Sequence, residues 1–321
     1  ARMIFNDPSS TPEQTAQALE RLTKAAEAGQ DCAQYALGKI YRDGQGVEKD
    51  IQKAVALFTL AATKENSFAA FALGKLYLAG DAALPRDPAA ALKWLTYAAE
   101  LGNQFAQYRL GKLLLKGDDG IPKDVITAIR WLTAAAKQEN GYAEYVLALV
   151  YLTGEDAPKD SVKALSLLKR SAGRGNQFAQ YRLGKLLLQG EDAPKDVKAA
   201  IRWLTAAAEQ GNQYAQYALG KLYLLGKEVP KDRSSAIKWF QLAADQGNEY
   251  AQYFLKHMDD RLGQPPVAAV ISLFHHLANI FQEQNQPPPS GGVRVAVDRK
   301  LLRKIKAKKI AQGHKADDHE P

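Results

Sequence analysis

A single cysteine, Cys32, in 321 residues rules out an intramolecular disulfide framework, and a reduced, cytoplasmic setting fits that thiol count. No apolar run approaches the ~20 residues needed to span a bilayer, so no membrane contact is expected. Histidine is scarce, and none stands in a His-x-His pair, which excludes metal clusters built on that spacing. His275 and His276 are adjacent and would point about 100° apart on a helix, one buried and one exposed. The Gly-x-x-x-x-Gly-Lys-Ser/Thr pattern is also missing; the recurring Leu-Gly-Lys-Leu places its lysine inside a helix, not on a phosphate-binding turn. Valine and isoleucine never alternate with polar residues over a strand length, so no sheet is expected. The chain begins at Ala1 without an initiator methionine, and Ala1 to Asp7 is no signal peptide; a fragment or processed form is expected.

What is present is alanine, leucine and a period. Gly29, Gly102, Gly175, Gly211 and Gly247 each end an Ala-rich segment, with Glu65 and Glu139 in the intervening places, at steps of 36 or 37 residues. Gly44, Gly80, Gly117, Gly154, Gly190 and Gly226 keep the same step. Each unit decodes into two helices. The first carries Ala106, Leu110, Gly111 and Leu114 on one face, the second Ala128, Trp131, Leu132, Ala135 and Ala136. Between them Asp50, Asp87, Asp124, Asp160, Asp196 and Asp232 hold the N-cap of the second helix, and Pro88 suits a first helical position. The 37-residue steps come from one extra residue in the turns Gly80–Asp87 and Gly117–Asp124. Gly38, Gly74, Gly111, Gly184 and Gly220 lie mid-helix, where glycine costs about 1 kcal/mol against alanine. A close helix crossing that rejects a larger side chain accounts for them, and Ala148 at the equivalent position predicts that Gly111→Ala is mild.

The string Ala-Gln-Tyr-x-Leu-Gly-Lys-Leu-Tyr, then Gly, Pro-Lys-Asp, Ala-x-x-Trp and Ala-Ala-x-x-Gly-Asn, resembles the Sel-1-like, tetratricopeptide-type repeat. The resemblance implies an all-α, right-handed solenoid of about seven helix-turn-helix repeats, whose first helices line the concave side of a curved superhelix. It also implies an adaptor role. The expected layout is a leader (1–11), the solenoid (12–262), a capping helix (263–285) carrying Val267, Val270, Ile271, Phe274, Leu277 and Phe281, and a Pro/Gly linker with a basic tail (286–321).

The charge sits in that tail. Val293 to Lys315 carries a net +8, the charge of the whole chain, including Arg299, Lys300, Arg303, Lys304, Lys306, Lys308 and Lys309. Two readings stand: non-specific phosphate contact by counterion release, or a solvated end. His275-His276, Asp298 to Lys304 and Gly313 to His319 are together similar to the end of certain bacterial mobilisation relaxases. That resemblance implies an accessory region of a DNA-mobilisation protein, with the nicking domain outside this chain.

On the first helices Tyr35, Phe71, Tyr108, Tyr145, Tyr181, Tyr217 and Tyr253 recur. Four residues on stand Lys39, Lys75, Lys112, Lys185 and Lys221, with Leu149 and His257 in the remaining copies. Spacing of i, i+4 places each pair on one face, and Gln104, Gln177 and Gln213 lie beside it. Stacked repeats would line these into an aromatic and cationic groove for a protein or peptide bearing carboxylates; the competing reading is rings packed between helices and lysines merely solvated. Trp94, Trp131, Trp203 and Trp239 exchange with Leu57 and Leu167, which marks a packing position. Cys32 reads as a small semi-buried residue. No clustered nucleophile, base and acid occurs, so a non-enzymatic chain without cofactor or metal is expected.

Overall fold

The computed structural model describes residues 11–117 and 120–258, and the chain divides into two compact units at 1–259 and 260–321. The expected capping helix, the linker and the basic tail lie outside the described residues. Within the first unit fourteen helices follow one another with no named strand among the described residues. They are α1 (Pro12–Glu27), α2 (Asp31–Asp43), α3 (Ile51–Ala62), α4 (Ser67–Ala79), α5 (Pro88–Glu100), α6 (Gln104–Lys116) and α7 (Val125–Lys137). The second half comprises α8 (Gly141–Thr153), α9 (Ser161–Gly173), α10 (Gln177–Gln189), α11 (Val197–Glu209), α12 (Gln213–Leu225), α13 (Arg233–Asp245) and α14 (Glu249–Met258). Six complete helix pairs run from α2 to α13. The seventh phased copy is split, with its second-type helix at the front as α1 and its first-type helix at the end as α14. Even-numbered helices are called A helices below, odd-numbered ones B helices.

Local chemistry sets each boundary. All six predicted aspartates cap B helices; Asp124, for example, accepts from the Thr127 N–H, and Asp196 from that of Ala199. Asn66, Asn103, Asn140, Asn176 and Asn212 do the same for A helices. Most A helices end on a left-handed glycine, but Gly80 and Gly117 combine φ 69° with ψ 165° and 152°. Only glycine enters that region readily, and these two turns are the ones that carry the extra residue. The insertion is absorbed there, and α5 and α7 keep their place.

The seam between the A and B helices of a pair is dry. Leu95, Leu132 and Leu204 are fully buried, as are Phe58 and Phe240. The mid-helix glycines are why the helices can approach. A Cβ on Gly111 would lie 2.6 Å from Leu132 Cγ and 3.0 Å from the Ala128 carbonyl oxygen. Gly184 meets Leu204 in the same way, Gly74 meets Leu95, and Gly38 and Gly220 meet the rings of Phe58 and Phe240. The expected mildness of Gly111→Ala therefore does not carry over from Ala148: even one methyl at Gly111 overlaps a leucine branch point and a backbone atom.

A buried polar chain joins neighbouring pairs. Gln107 of α6 donates to the Ala99 carbonyl at the end of α5 (3.1 Å) and accepts from Gln138 at the end of α7 (2.8 Å). Gln180 with Gln210, and Gln216 with Gln246, repeat the arrangement. In the fourth repeat both members change together. Glu144 replaces the glutamine and is completely buried, while Arg174 takes the place of the helix-end glutamine, its Nε 3.4 Å from Glu144 Oε2. A carboxylate cannot donate, so Arg170 supplies what is missing: its Nη2 lies 2.5 Å from Glu144 Oε1 and donates to the Ala136 carbonyl (3.3 Å).

Candidate functional site

The A helices present a stripe at their second, sixth, ninth and thirteenth positions, and the fifth position lies along its inner border. The fifth-position rings are Tyr35, Phe71, Tyr108, Tyr145, Tyr181 and Tyr217, all half-buried against the core, and the more exposed Tyr253. They pack between helices, as the competing reading had it, and burial pushes the phenols of Tyr108 and Tyr145 up and that of Tyr181 up to about 12.

The second-position aromatics were not singled out from the sequence. Each fifth-position ring meets the second-position ring of the next repeat: Tyr35 with Phe68, Phe71 with Phe105, Tyr108 with Tyr142, Tyr145 with Phe178, Tyr181 with Tyr214 and Tyr217 with Tyr250. Centroid separations are 6.0–6.4 Å throughout. The result is a ladder of rings from α2 to α14 with a packed rail and an open one. Phe68, Phe105 and Tyr142 remain about half exposed on the open rail. In α2 the second position is Cys32, which is exposed and not semi-buried as its sequence context suggested.

Beside the rings run the cations. Lys75 is exposed, with its ammonium 5.7 Å from the Phe71 ring centroid; Lys39, Lys112, Lys185 and Lys221 are half-buried. Burial lowers the lysine ammonium pKa at 112, 185 and 221, and neighbouring cations add to it: Arg109 and Lys116 for Lys112, Arg182 for Lys185, and Lys185 and Lys227 for Lys221. Lys39 and Lys75 instead share the field of Asp43, which Arg42 holds at 2.6 Å. Gln104, Gln177 and Gln213 lie half-buried at the first position. The described part of the His257 position stops at its backbone, and the tail residues Arg299 to Lys309 lie outside the described residues.

The loop edge is different. Lys123, Lys159 and Lys195 of the Pro-Lys-Asp turns and their counterpart Lys49 each reach an acid in the following repeat: Lys49 to Asp81, Lys123 to Asp156, Lys159 to Asp192 and Lys195 to Glu228, at 2.6–2.8 Å. An open depression there, lined by Tyr41, Lys49, Asp50, Ile51 and Asp81, is internally satisfied, since Asp50 caps α3 and Lys53 donates to the Tyr41 hydroxyl. Trp94, Trp131, Trp203 and Trp239 are half-buried against the core, with Arg130 5.0 Å above the Trp131 ring. Among the described residues no cluster of His, Cys, Asp and Glu could hold a metal, and no helix is long and apolar enough to cross a membrane.

Six consecutive segments match the Sel1 repeat family: residues 33–66, 67–103, 104–140, 141–176, 177–212 and 213–248. The solved structure of c5321, a protective antigen present in uropathogenic Escherichia coli strains that displays an SLR fold, is 34% identical with a TM-score of 0.69. It matches over 82% of this chain and 56% of its own. A Sel1 repeat protein from Oxalobacter formigenes is 32% identical with a TM-score of 0.70, over 80% of this chain and 74% of its own. The chain thus spans little more than half the length of c5321. No curated protein matches.

Proposed function

The chain belongs to the Sel1 repeat family, and from that premise we propose that it is a non-enzymatic scaffold that holds a protein partner along the face of its A helices. The observation that carries this reading is the ring ladder. After stacking on the repeat before them, Phe68, Phe105 and Tyr142 still leave about half of each ring open, and aromatics of that kind are the common anchors of protein interfaces. Serine at Tyr108, Tyr181 or Tyr217 would remove a packed ring and damage the fold, so the test uses the open rail. A photo-crosslinking residue at Phe105 or Tyr142 is expected to capture the partner, and one at the exposed B-helix residue Val162 is not. Phe105→Ser with Tyr142→Ser should abolish capture while lowering the melting temperature by several degrees and leaving the chain folded, roughly the loss of two ring contacts. Capture from Val162 as efficient as from Phe105 would remove the A-helix face from consideration.

DNA contact, the second reading, rests on the +8 tail alone. Such binding would be insensitive to sequence, fall steeply with salt and disappear in a chain ending at Gly292. Binding retained by that shorter chain, with the same salt slope, would assign it to the repeats instead.

A further inference from the structure

The A helices do not all carry the same stripe. In α6 it reads Phe105, Arg109, Lys112, Lys116, and α10 repeats it with Phe178, Arg182, Lys185, Gln189; the two helices are identical from their first residue to Leu115 and Leu188. Between them α8 presents Tyr142, Val146, Leu149 and Thr153. Arginine occupies the sixth position nowhere else in the described A helices, where alanine, valine or phenylalanine stands. Two cationic patches therefore flank one apolar patch, one repeat apart on each side.

These arginines are poorly used within the fold. The Nε atoms of Arg109 and Arg182 are buried and find no acceptor among the described residues. A buried N–H without an acceptor costs stability, and the fork geometry of the remaining guanidinium N–H groups matches a carboxylate. Arg182 lies within the electrostatic reach of both Tyr145 and Tyr181, at the junction of α8 and α10. Glu191 and Asp192, in the turn after α10, act electrostatically on this patch, and Asp192 is already engaged by Lys159 (2.8 Å) and the Ser161 hydroxyl (2.8 Å). Repeats one and two, by contrast, supply their own counter-charge through Asp43.

Resting on the scaffold reading above, we propose that this face selects a bipartite acidic segment of the partner protein. Carboxylates at two places engage Arg109 with Lys112 and Arg182 with Lys185, and an apolar side chain between them sits over Val146 and Leu149. A nucleic-acid strand fits less well, because an evenly spaced polyanion calls for an unbroken cationic run, and Val146 and Leu149 interrupt it. The neutral balance of the chain outside its tail also gives no long-range field to draw in a polyanion.

The probes are labelled synthetic peptides with two Glu-Glu clusters separated by a spacer of graded length that carries a central leucine, titrated by anisotropy against the whole chain. One spacer length is expected to bind about tenfold tighter than the rest and than a single-cluster peptide. Arg109→Gln and Arg182→Gln should each weaken it by about tenfold, as for loss of a charge-assisted contact. The same substitutions should raise the melting temperature of the unliganded chain by roughly 2–4 °C, because a buried N–H without an acceptor is removed. Leu149→Lys, which restores the residue of the neighbouring repeats, should erase the preference for a central leucine over a central glutamine. Equal affinity for every spacer, equal affinity in the arginine variants, absence of binding, or tighter binding of oligothymidylate at the same arginines would each overturn the proposal. The photo-crosslinks at Phe105 and Tyr142 do not depend on these arginines, so failure here and failure of the scaffold reading remain distinguishable.

Discussion

The loop edge and the A-helix face use the same residues in opposite ways. At the edge Lys49, Lys123, Lys159 and Lys195 each close on an acid of the next repeat, and the pairs are partly solvated. Such a pair is worth about 1 kcal/mol at most, and its main effect is to hold register between successive turns. On the A-helix face Lys112 and Lys185 are half-buried among other cations, where their charge is a cost. A lysine that has its acid serves the solenoid. One set among cations does not, and in the proposed complex its acid comes from the partner.

That contrast can be attacked most strongly at the seam, the dry reference for both regions. Gly111→Leu should cost roughly 3 kcal/mol through overpacking against Leu132, measured by denaturant unfolding. Gly111→Ala should cost about 1 kcal/mol net, since the helix gain of about 1 offsets only part of the contact. Added to Leu132→Ala, it should cost much less, because the leucine branch is gone and only the Ala128 carbonyl oxygen remains close. If leucine and alanine at Gly111 behave alike, the crossing is not tight.

Next in size is the buried charge in the polar chain that joins neighbouring pairs. Arg170→Ala leaves the buried carboxylate of Glu144 with Arg174 alone, and should destabilise by roughly 3 kcal/mol. Adding Glu144→Gln and Arg174→Gln rebuilds the pair seen at Gln107 and Gln138, and most of that loss should return. Absence of rescue would mean that the charge swap is not what Arg170 answers.

A smaller pair of effects tests the comparison directly. Lys159→Ala should lower stability by a few tenths to about 1 kcal/mol, whereas Lys112→Gln should raise it slightly. The same sign from both would erase the distinction between edge and face.

The gentlest test is the pH profile of unfolding. Lysine pKa values are lowered at 112, 185 and 221 in the fold, so between the folded and unfolded values the unfolded chain binds more protons, and stability rises with pH toward about 10. The tyrosines act in reverse. Their phenols are raised by burial, Tyr181 to about 12, so the unfolded chain ionises first and stability falls as pH climbs from about 10 toward 12. A maximum near pH 10 is expected, and glutamine at Lys112, Lys185 and Lys221 should flatten the rising limb only.

The repeat phase and every aspartate cap were legible because they depend on neighbours a few residues away. Asp124 needs only Thr127, and Pro88 only its own ring. The open rail was missed because Phe105 and Tyr142 acquire meaning through rings one repeat earlier in the chain, and a reading confined to i, i+4 pairs cannot see them. The loop pairs were missed for the same reason, although an acid recurring at Asp81, Asp156, Asp192 and Glu228 one turn after each such lysine was a usable signal. Glu144 offered another, since it departs from the glutamine pattern in the same repeat as Arg174 does. Ala148 misled because the period carries no measure of clearance: at Gly111 the space a Cβ would need is already taken by Leu132.

The glycine seam also fixes where this array can be cut and copied. Gly111 and Leu132, or Gly184 and Leu204, are matched within an A–B pair, so a break between those two helices separates two surfaces shaped for each other. A break at the Gly-Asn turn, after Gly102 or Gly175, delivers a cassette whose tight crossing travels whole and whose asparagine cap goes with its own helix. The near-identical stretches beginning at Asn103 and Asn176 both start at that turn. Repeats can then be added, removed or exchanged at that turn to lengthen the face or change its reading order, and the helix crossing never has to be solved again.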